Sequence, residues 1–311
     1  MSSHAADTGD APLCAAADPH TRRPAFRLPA ASCDTHAHLF GPAHAYPYDP
    51  RRVYTPPAAP LEQYRRMLDT LGASRAVLVQ PSVYGTDNRL LLDTLRAAGP
   101  DLRGVAVIDP DDTGVDLAGM HELGVRGLRV NIVDRKDGKG ELPLPALRRL
   151  ADRIAPLGWH LELLMHADEF PGVEALLDDL PTPLVFGHMG YPHPGSGPDA
   201  PGMAGLIRLM RRGKAWVKLT GPYRISHQPL PYRDVDALAA EIVAQAPDRV
   251  LWGSDWPHVM VQGPMPNDGA LCDLLRTWVP DAATREKILV HNPARLYGFD
   301  DAGGQSRTTA S

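Results

Sequence analysis

The sequence has few cysteines and no excess of positive charge. Its three cysteines, Cys14, Cys33 and Cys272, lie far apart in 311 residues and form no C-x-x-C pair. We therefore expect neither a disulfide framework nor a thiolate zinc site. The 32 lysines and arginines stand against 37 aspartates and glutamates, a formal net charge of −5. Nucleic acids and anionic membranes bind to basic surfaces, so neither is an expected partner.

Long apolar runs are also missing. No run reaches the roughly 18 apolar residues that a membrane-spanning helix needs, and residues 1–30 lack the continuous apolar stretch of a secretory signal. We therefore expect a cytoplasmic protein. With 43% hydrophobic residues, the chain has enough apolar material for one sizeable core. We predict a flexible N-terminal segment at 1–30, a single barrel domain at 31–300 and a flexible tail at 301–311.

Short apolar runs alternate regularly with longer segments of helical spacing in this sequence. Eight runs begin near Cys33, Arg75, Arg103, Val125, Trp159, Pro183, Ala215 and Arg249. Several of the segments between them end in glycine, a common helix stop. Eight parallel strands with crossover helices can close into a barrel, and the competing fold is an open doubly wound sheet. No G-x-G-x-x-G turn follows the first run, so we predict a TIM-like (β/α)8 barrel of the α/β class.

Polar side chains follow three of these runs. The first run closes as D-T-H-A-H, and residues two apart on a strand face the same side, so His36 and His38 should both point into the barrel mouth. His188 follows the sixth run and Asp255 the eighth. Active sites of this fold lie where strands end and the following loops begin. We predict one site from these four residues; the alternative is a pair of structural histidines and a capping or turn aspartate.

These motifs resemble the amidohydrolase superfamily, specifically its amidohydrolase-related branch and, within it, the 2-pyrone-4,6-dicarboxylate lactonases. The resemblance extends from Ser32 to Phe299 and includes H-x-H in the first run and G-S-D-W-P-H after the eighth. It also includes the segments V-Q-P-S-V-Y-G-T-D-N, G-V-R-G-L-R-V-N, V-K-L-T-G-P-Y-R and N-P-A-R-L-Y. The resemblance implies an amidohydrolase-type barrel.

The resemblance further implies a hydrolase that opens a small carboxylated lactone, with a pyrone dicarboxylate as the first candidate. In such an enzyme Asp255 would activate water while His36, His38 and His188 polarise the lactone carbonyl. The residues implied in substrate binding are Arg129, Arg135, Arg224, Tyr54 and Ser82. The positions of Arg129 and Arg135, at the end of the fourth run and in its loop, agree, because guanidinium groups bind carboxylates bidentately. We therefore expect a small anionic carboxylate as substrate.

Two features of the fifth run bear on cofactor and substrate. His166 ends this run, and with His36, His38 and Asp255 it matches the ligand set of mononuclear metal amidohydrolases, for which zinc or manganese is the candidate ion. Leu164 stands where the lactonases carry a substrate-binding tyrosine. Two mechanisms stay open, one with a single divalent ion and one independent of metal.

Two other functions also stay open: a metal-dependent decarboxylase or other hydrolase of the superfamily, and a non-catalytic barrel that binds a dicarboxylate. The sequence does not indicate an oligomeric state.

Overall fold

A computed structural model describes residues 11–133 and 141–300, and eight parallel strands form its centre. The strands are β1 (Cys33–Ala37), β2 (Arg75–Val79), β3 (Leu102–Ala106), β4 (Val125–Asn131), β5 (His160–Leu164), β6 (Leu184–Phe186), β7 (Ala215–Leu219) and β8 (Val250–Trp252). Each strand pairs in parallel with the next one along the chain, in the order β1 to β8. This order gives a nearly closed barrel, which confirms the predicted TIM-like fold.

Helices connect the strands and cover the outside of the barrel. They are α1 (Leu61–Leu71), α2 (Arg89–Ala98), α3 (Leu117–Glu122), α4 (Leu144–Ile154), α5 (Val173–Leu177), α6 (Pro201–Arg211), α7 (Asp236–Gln245), α8 (Asp268–Trp278), α9 (Ala282–Glu286) and α10 (Asn292–Tyr297). Helix α1 illustrates their packing: it buries Tyr64, Met67, Leu68 and Leu71 and ends at Gly72, as an amphipathic helix does. None of the helices in the described ranges is long and apolar enough to cross a membrane.

Strands β1 and β8 meet at a seam that is closed by few backbone contacts. The Asp255 N–H donates to the His36 carbonyl at 2.8 Å, and the His38 N–H donates to the Trp256 carbonyl at 2.8 Å. The Thr35 hydroxyl also donates across the seam to the Trp252 carbonyl, at 2.8 Å. These contacts bring the ends of β1 and β8 side by side, so the histidines of one strand face the aspartate that follows the other.

An N-terminal strap, residues 11–25, lies across the same seam. Its Cys14 N–H donates to the Thr55 carbonyl in the loop after β1, at 2.9 Å. At its other end the Arg22 N–H donates to Asn267 Oδ1 at 3.1 Å and the Ala25 N–H donates to Asp273 Oδ1 at 2.6 Å. The strap, which belongs to the segment predicted to be flexible, therefore joins the β1 loop to helix α8. The predicted tail 301–311 lies outside the described residues.

Candidate active site

The structure brings His36, His38, His188 and Asp255 together at the mouth of the barrel. Asp255 Oδ1 lies 3.7 Å from His36 Nε2 and 3.9 Å from His38 Nε2. Asp255 Oδ2 lies 3.9 Å from His188 Nδ1. All four residues are at most 4% exposed. A buried carboxylate thus faces three imidazole rings, at distances too long for hydrogen bonds between the atoms named.

Unusual backbone conformations direct these side chains inward. Asp255 has φ = +66° and His188 has φ = +49°, and residues other than glycine pay a steric cost in this left-handed region. Gly221, which follows β7, has φ = +58°, and a Cβ atom there would lie 2.7 Å from His188 Nδ1 and 3.1 Å from Asp255 Oδ2. The site therefore needs glycine at 221 both for the backbone turn and for space.

Asp255 has one engaged oxygen and one free oxygen. The Tyr223 hydroxyl donates to Oδ2 at 2.6 Å and Arg224 Nε donates to it at 2.7 Å, while Oδ1 has no hydrogen-bond partner among the described residues. Burial raises the pKa of Asp255, but Arg224 and the three histidines outweigh burial and hold this pKa well below its ordinary value. Asp255 is therefore a carboxylate whose Oδ1 is available to a ligand or a water molecule.

The histidines are held as neutral rings. Burial, helped by the charge of Arg129, lowers the pKa of His38 and of His188 well below the ordinary value. His38 Nδ1 lies 2.8 Å from the Val79 carbonyl oxygen, which only accepts, so Nδ1 carries the proton and Nε2 keeps a lone pair. Among the described residues, His36 Nε2 and His188 Nδ1 have no hydrogen-bond partner.

A buried ion pair that the sequence reading missed lies behind His36. Glu162 on β5 and Lys218 on β7 are 2.6 Å apart and at most 1% exposed. Glu162 Oε1 lies 3.1 Å from His36 Nδ1. Burial raises the pKa of Glu162, but Lys218 reverses this and holds it well below its ordinary value. A charged residue in the middle of each apolar strand was the available signal, because such residues are rarely buried unless they are paired.

A second buried chain of polar groups leads away from Asp255. Tyr223, which donates to Asp255, lies 3.1 Å from His258 Nδ1, and His258 Nε2 lies 2.9 Å from Asp268 Oδ1. His258 and Asp268 are at most 1% exposed. His258 belongs to the G-S-D-W-P-H motif, but the sequence pattern predicts no role for it or for Tyr223. The structure makes Tyr223 a direct partner of the carboxylate.

The residues implied in substrate binding occupy different positions. Arg129 is 8% exposed, donates to the Gln80 carbonyl at 3.0 Å and, together with Ser82, lines a cavity of about 450 Å³. Arg224 instead contacts Asp255 directly, and Tyr54 is buried in the loop after β1. Arg135 lies outside the described residues.

His166 is not part of the cluster around Asp255. Its Nδ1 lies 2.6 Å from the Tyr191 carbonyl oxygen, and its ring stacks on that of His193 at 4.3 Å. It forms a separate group with His193 and Asp168. Of the four residues predicted as a metal-ligand set, the structure therefore groups three, and His166 belongs to a different group.

His36, His38 and Asp255 fit a single divalent ion. Their candidate ligand atoms all lie within 4.8 Å of one another. His38 Nε2 has a lone pair, and within the described part of the chain His36 Nε2 and Asp255 Oδ1 have no hydrogen-bond partner. Two imidazole nitrogens and a carboxylate oxygen are ligands of catalytic zinc sites, which keep one position open, and imidazole and carboxylate also suit manganese.

Comparison with known proteins relates this site to one family. The chain matches the amidohydrolase family model over residues 33–299, a range that includes all eight strands. It is 38% identical over 284 residues to the 2-pyrone-4,6-dicarboxylate hydrolase of Comamonas testosteroni, covering 88% of this chain and 92% of that protein. It is also 38% identical over 289 residues to the 4-sulfomuconolactone hydrolase of Hydrogenophaga intermedia, covering 92% and 95%. A crystal structure assigned to a 2-pyrone-4,6-dicarboxylic acid hydrolase of Pseudomonas putida is 33% identical, with a TM-score of 0.75 and 88% and 99% coverage.

Proposed function

The chain belongs to the amidohydrolase family, and we propose that it hydrolyses the ester bond of a small anionic lactone, with 2-pyrone-4,6-dicarboxylate as the first candidate. The two relatives named as hydrolases of anionic lactones support this substrate class. The observation that carries the proposal is the buried carboxylate of Asp255, which faces three neutral histidines with one oxygen unengaged.

Asp255 is the general base in this proposal. Tyr223 and Arg224 hold Oδ2, so Oδ1 takes the proton from the attacking water, through the lone pair that a bound ion would leave free. The water oxygen bonds to the lactone carbonyl carbon, and the bond from this carbon to the ring oxygen then breaks. In a pyrone the ring oxygen leaves as an enolate, which needs little help from a general acid.

The histidines divide into two roles. With its proton on Nδ1 and a low pKa, His38 has no ring N–H to offer the carbonyl through Nε2. We therefore assign His38 and His36, with Asp255, to hold one zinc or manganese ion, which would supply Lewis-acid polarisation of the carbonyl. His188 is the histidine that donates an N–H to the developing oxyanion. Arg129, on the wall of the 450 Å³ cavity, binds a carboxylate of the substrate.

Replacement of Asp255 by asparagine tests the proposal. Asparagine keeps the shape and tolerates a positive φ but cannot take a proton, so kcat should fall by about 10²-fold or more while the barrel stays folded and still binds substrate. The control is Asp168→Asn, an aspartate after β5 outside the histidine cluster, which should keep its activity.

The assay follows loss of the pyrone absorbance together with release of carbon dioxide. Ring opening without carbon dioxide is the expected result for the wild-type enzyme. Near-normal ring opening by folded Asp255→Asn enzyme would remove Asp255 from its role, and carbon dioxide release in step with substrate loss would show a decarboxylase instead.

A further inference from the structure

Arg52 is a positioned arginine that has no acidic partner in the described ranges. It lies in the loop between β1 and α1, where its Nε donates to the Thr55 hydroxyl at 3.0 Å. Its guanidinium carbon lies 5.9 Å from the centre of the Tyr48 ring. Neither contact uses the two terminal nitrogens of the guanidinium. The side chain is therefore held in place, and the end that could bind an anion stays available.

The neighbouring Arg51 is already neutralised. Its Nε and Nη2 donate to the two oxygens of Asp49, at 3.1 and 2.7 Å, and its side chain is 87% exposed. Asp49 and Arg51 line the same cleft as Arg52. Because Arg51 binds both oxygens of Asp49, Arg52 contributes the net positive charge of this cleft. Replacing Arg51 would release Asp49 beside Arg52, so the control for experiments is Arg96 on α2, an exposed arginine that pairs with Asp93.

Arg52 lines a cleft that adjoins the cavity of Arg129. The cleft has a volume of about 360 Å³. It shares Ser82, Gly85 and Asn131 with the 450 Å³ cavity on whose wall Arg129 lies. Arg129 Nη1 donates to the carbonyl of Gln80, the residue after Val79, whose own carbonyl contacts His38 Nδ1. Arg129 therefore lies next to the histidine cluster, and the cavity on its wall adjoins the cleft of Arg52.

We propose that Arg52 binds a second anionic group of the lactone, a carboxylate or a sulfonate, at the end of the substrate that lies beyond Arg129. This inference rests on the proposed function and adds to it the residue that binds the second anionic group. Neither Arg129 nor Arg52 forms an ion pair with a carboxylate of the described residues, and the two arginines line adjoining cavities. Free guanidinium nitrogens bind the oxygens of a carboxylate or sulfonate through charge-assisted hydrogen bonds.

The experiment compares Arg52→Met with Arg96→Met on three probes, 2-pyrone-4,6-dicarboxylate, 2-pyrone-4-carboxylate and 2-pyrone-6-carboxylate. On the diacid, Arg52→Met should lower kcat/KM by about 10- to 150-fold, mainly through KM. On the monoacid that lacks the group bound by Arg52, the loss should be no more than about 3-fold. Arg96→Met should stay within about 3-fold of wild type on all probes, and Arg52→Lys should recover part of the loss because it restores charge without the guanidinium fork.

Two results would overturn the assignment of Arg52. The first is equal kinetics of Arg52→Met and Arg96→Met on the diacid. The second is an equal loss on all three probes, which would mean that Arg52 supports only the loop. If the wild-type protein opens none of the probes, calorimetric binding separates the two claims. Arg52-dependent preference for the diacid then supports the anion site while the hydrolase proposal fails, and no preference overturns both.

Discussion

At the scale of single residues, a contact with one backbone carbonyl decides what His38 can do. The Val79 oxygen fixes the proton on Nδ1, so the other nitrogen is a ligand atom rather than a donor. Burial and neighbouring positive charge keep the ring neutral, and the same causes act on His188. The three groups that the mechanism needs in one ionisation state, Asp255 and these two histidines, all have their pKa shifted downwards.

This common direction predicts the pH profile. As pH falls from 8.5 to 6.5, Asp255 stays ionised because its pKa is well below the ordinary value, and His38 and His188 stay neutral for the same reason. We therefore expect kcat/KM on a pyrone dicarboxylate to vary by no more than about 3-fold across this range. An acid limb centred near 6.5, the ordinary value for histidine, would contradict the assignment of neutral rings.

The buried pair of Glu162 and Lys218 gives a second prediction. Lys218→Met leaves a carboxylate without its 2.6 Å partner in the barrel interior and should lower the free energy of unfolding by about 3–5 kcal/mol. The double variant Glu162→Gln/Lys218→Met removes both charges and should recover most of this loss. Denaturant unfolding at pH 7 measures both. Arg208→Met, which breaks an exposed pair with Glu174, is the control and should change stability little.

At the scale of secondary-structure elements, the packing of β4 against β5 depends on the absence of a side chain. Gly127 on β4 pairs with His160 on β5, and a Cβ atom at 127 would lie 2.5 Å from the imidazole of His160. The ring has little room to move, since it is 1% exposed and lies edge-on to Tyr297 at 5.3 Å. The strand pair therefore needs glycine at this position.

Gly127→Ala should destabilise the protein by about 1–3 kcal/mol through overpacking. Adding His160→Ala should recover part of this loss, because the clash is with that ring, and thermal unfolding of the single and double variants measures the coupling. Gly172→Ala, at a position where a Cβ atom would meet nothing within 4 Å, serves as the control. Equal effects of Gly127→Ala and Gly172→Ala would contradict the packing argument.

The elements were predictable from the sequence to a greater extent than the contacts between them. Each predicted strand start lies within one residue of the observed one, because β-branched runs and glycine stops are local signals. His36, His38 and Asp255 were predictable for a similar reason: strand periodicity and strand ends decide where they point. Glu162 and Lys218 lie on β5 and β7, which are not neighbouring strands. Tyr223, in the loop after β7, contacts Asp255, which follows β8. Such pairs depend on how the barrel closes, which no local pattern encodes.

At the scale of the whole molecule, binding of a divalent ion should raise thermal stability. An ion bound only by the folded state at about 100 times its dissociation constant adds about 2.7 kcal/mol, which corresponds to a rise of roughly 4–5 °C in Tm for a barrel of this size. We expect this rise when zinc or manganese is added to chelator-treated wild-type protein, and its loss in His38→Ala. His166→Ala should keep it, because His166 lies outside the cluster of His36, His38 and Asp255. Loss of the rise in His166→Ala would restore His166 as a ligand.

The seam between β1 and β8 has a consequence for how the enzyme would fail under stress. His36 and His38 belong to one side of the seam and Asp255 to the other, and few backbone hydrogen bonds join the two sides. The strap from Thr55 to helix α8 spans the same gap. A small local opening would separate base from histidines while the other seven strand pairings remain. Inactivation and global unfolding are then distinct events. The storage lifetime of the active enzyme is governed by the contacts between β1 and β8 and not by the stability of the whole barrel.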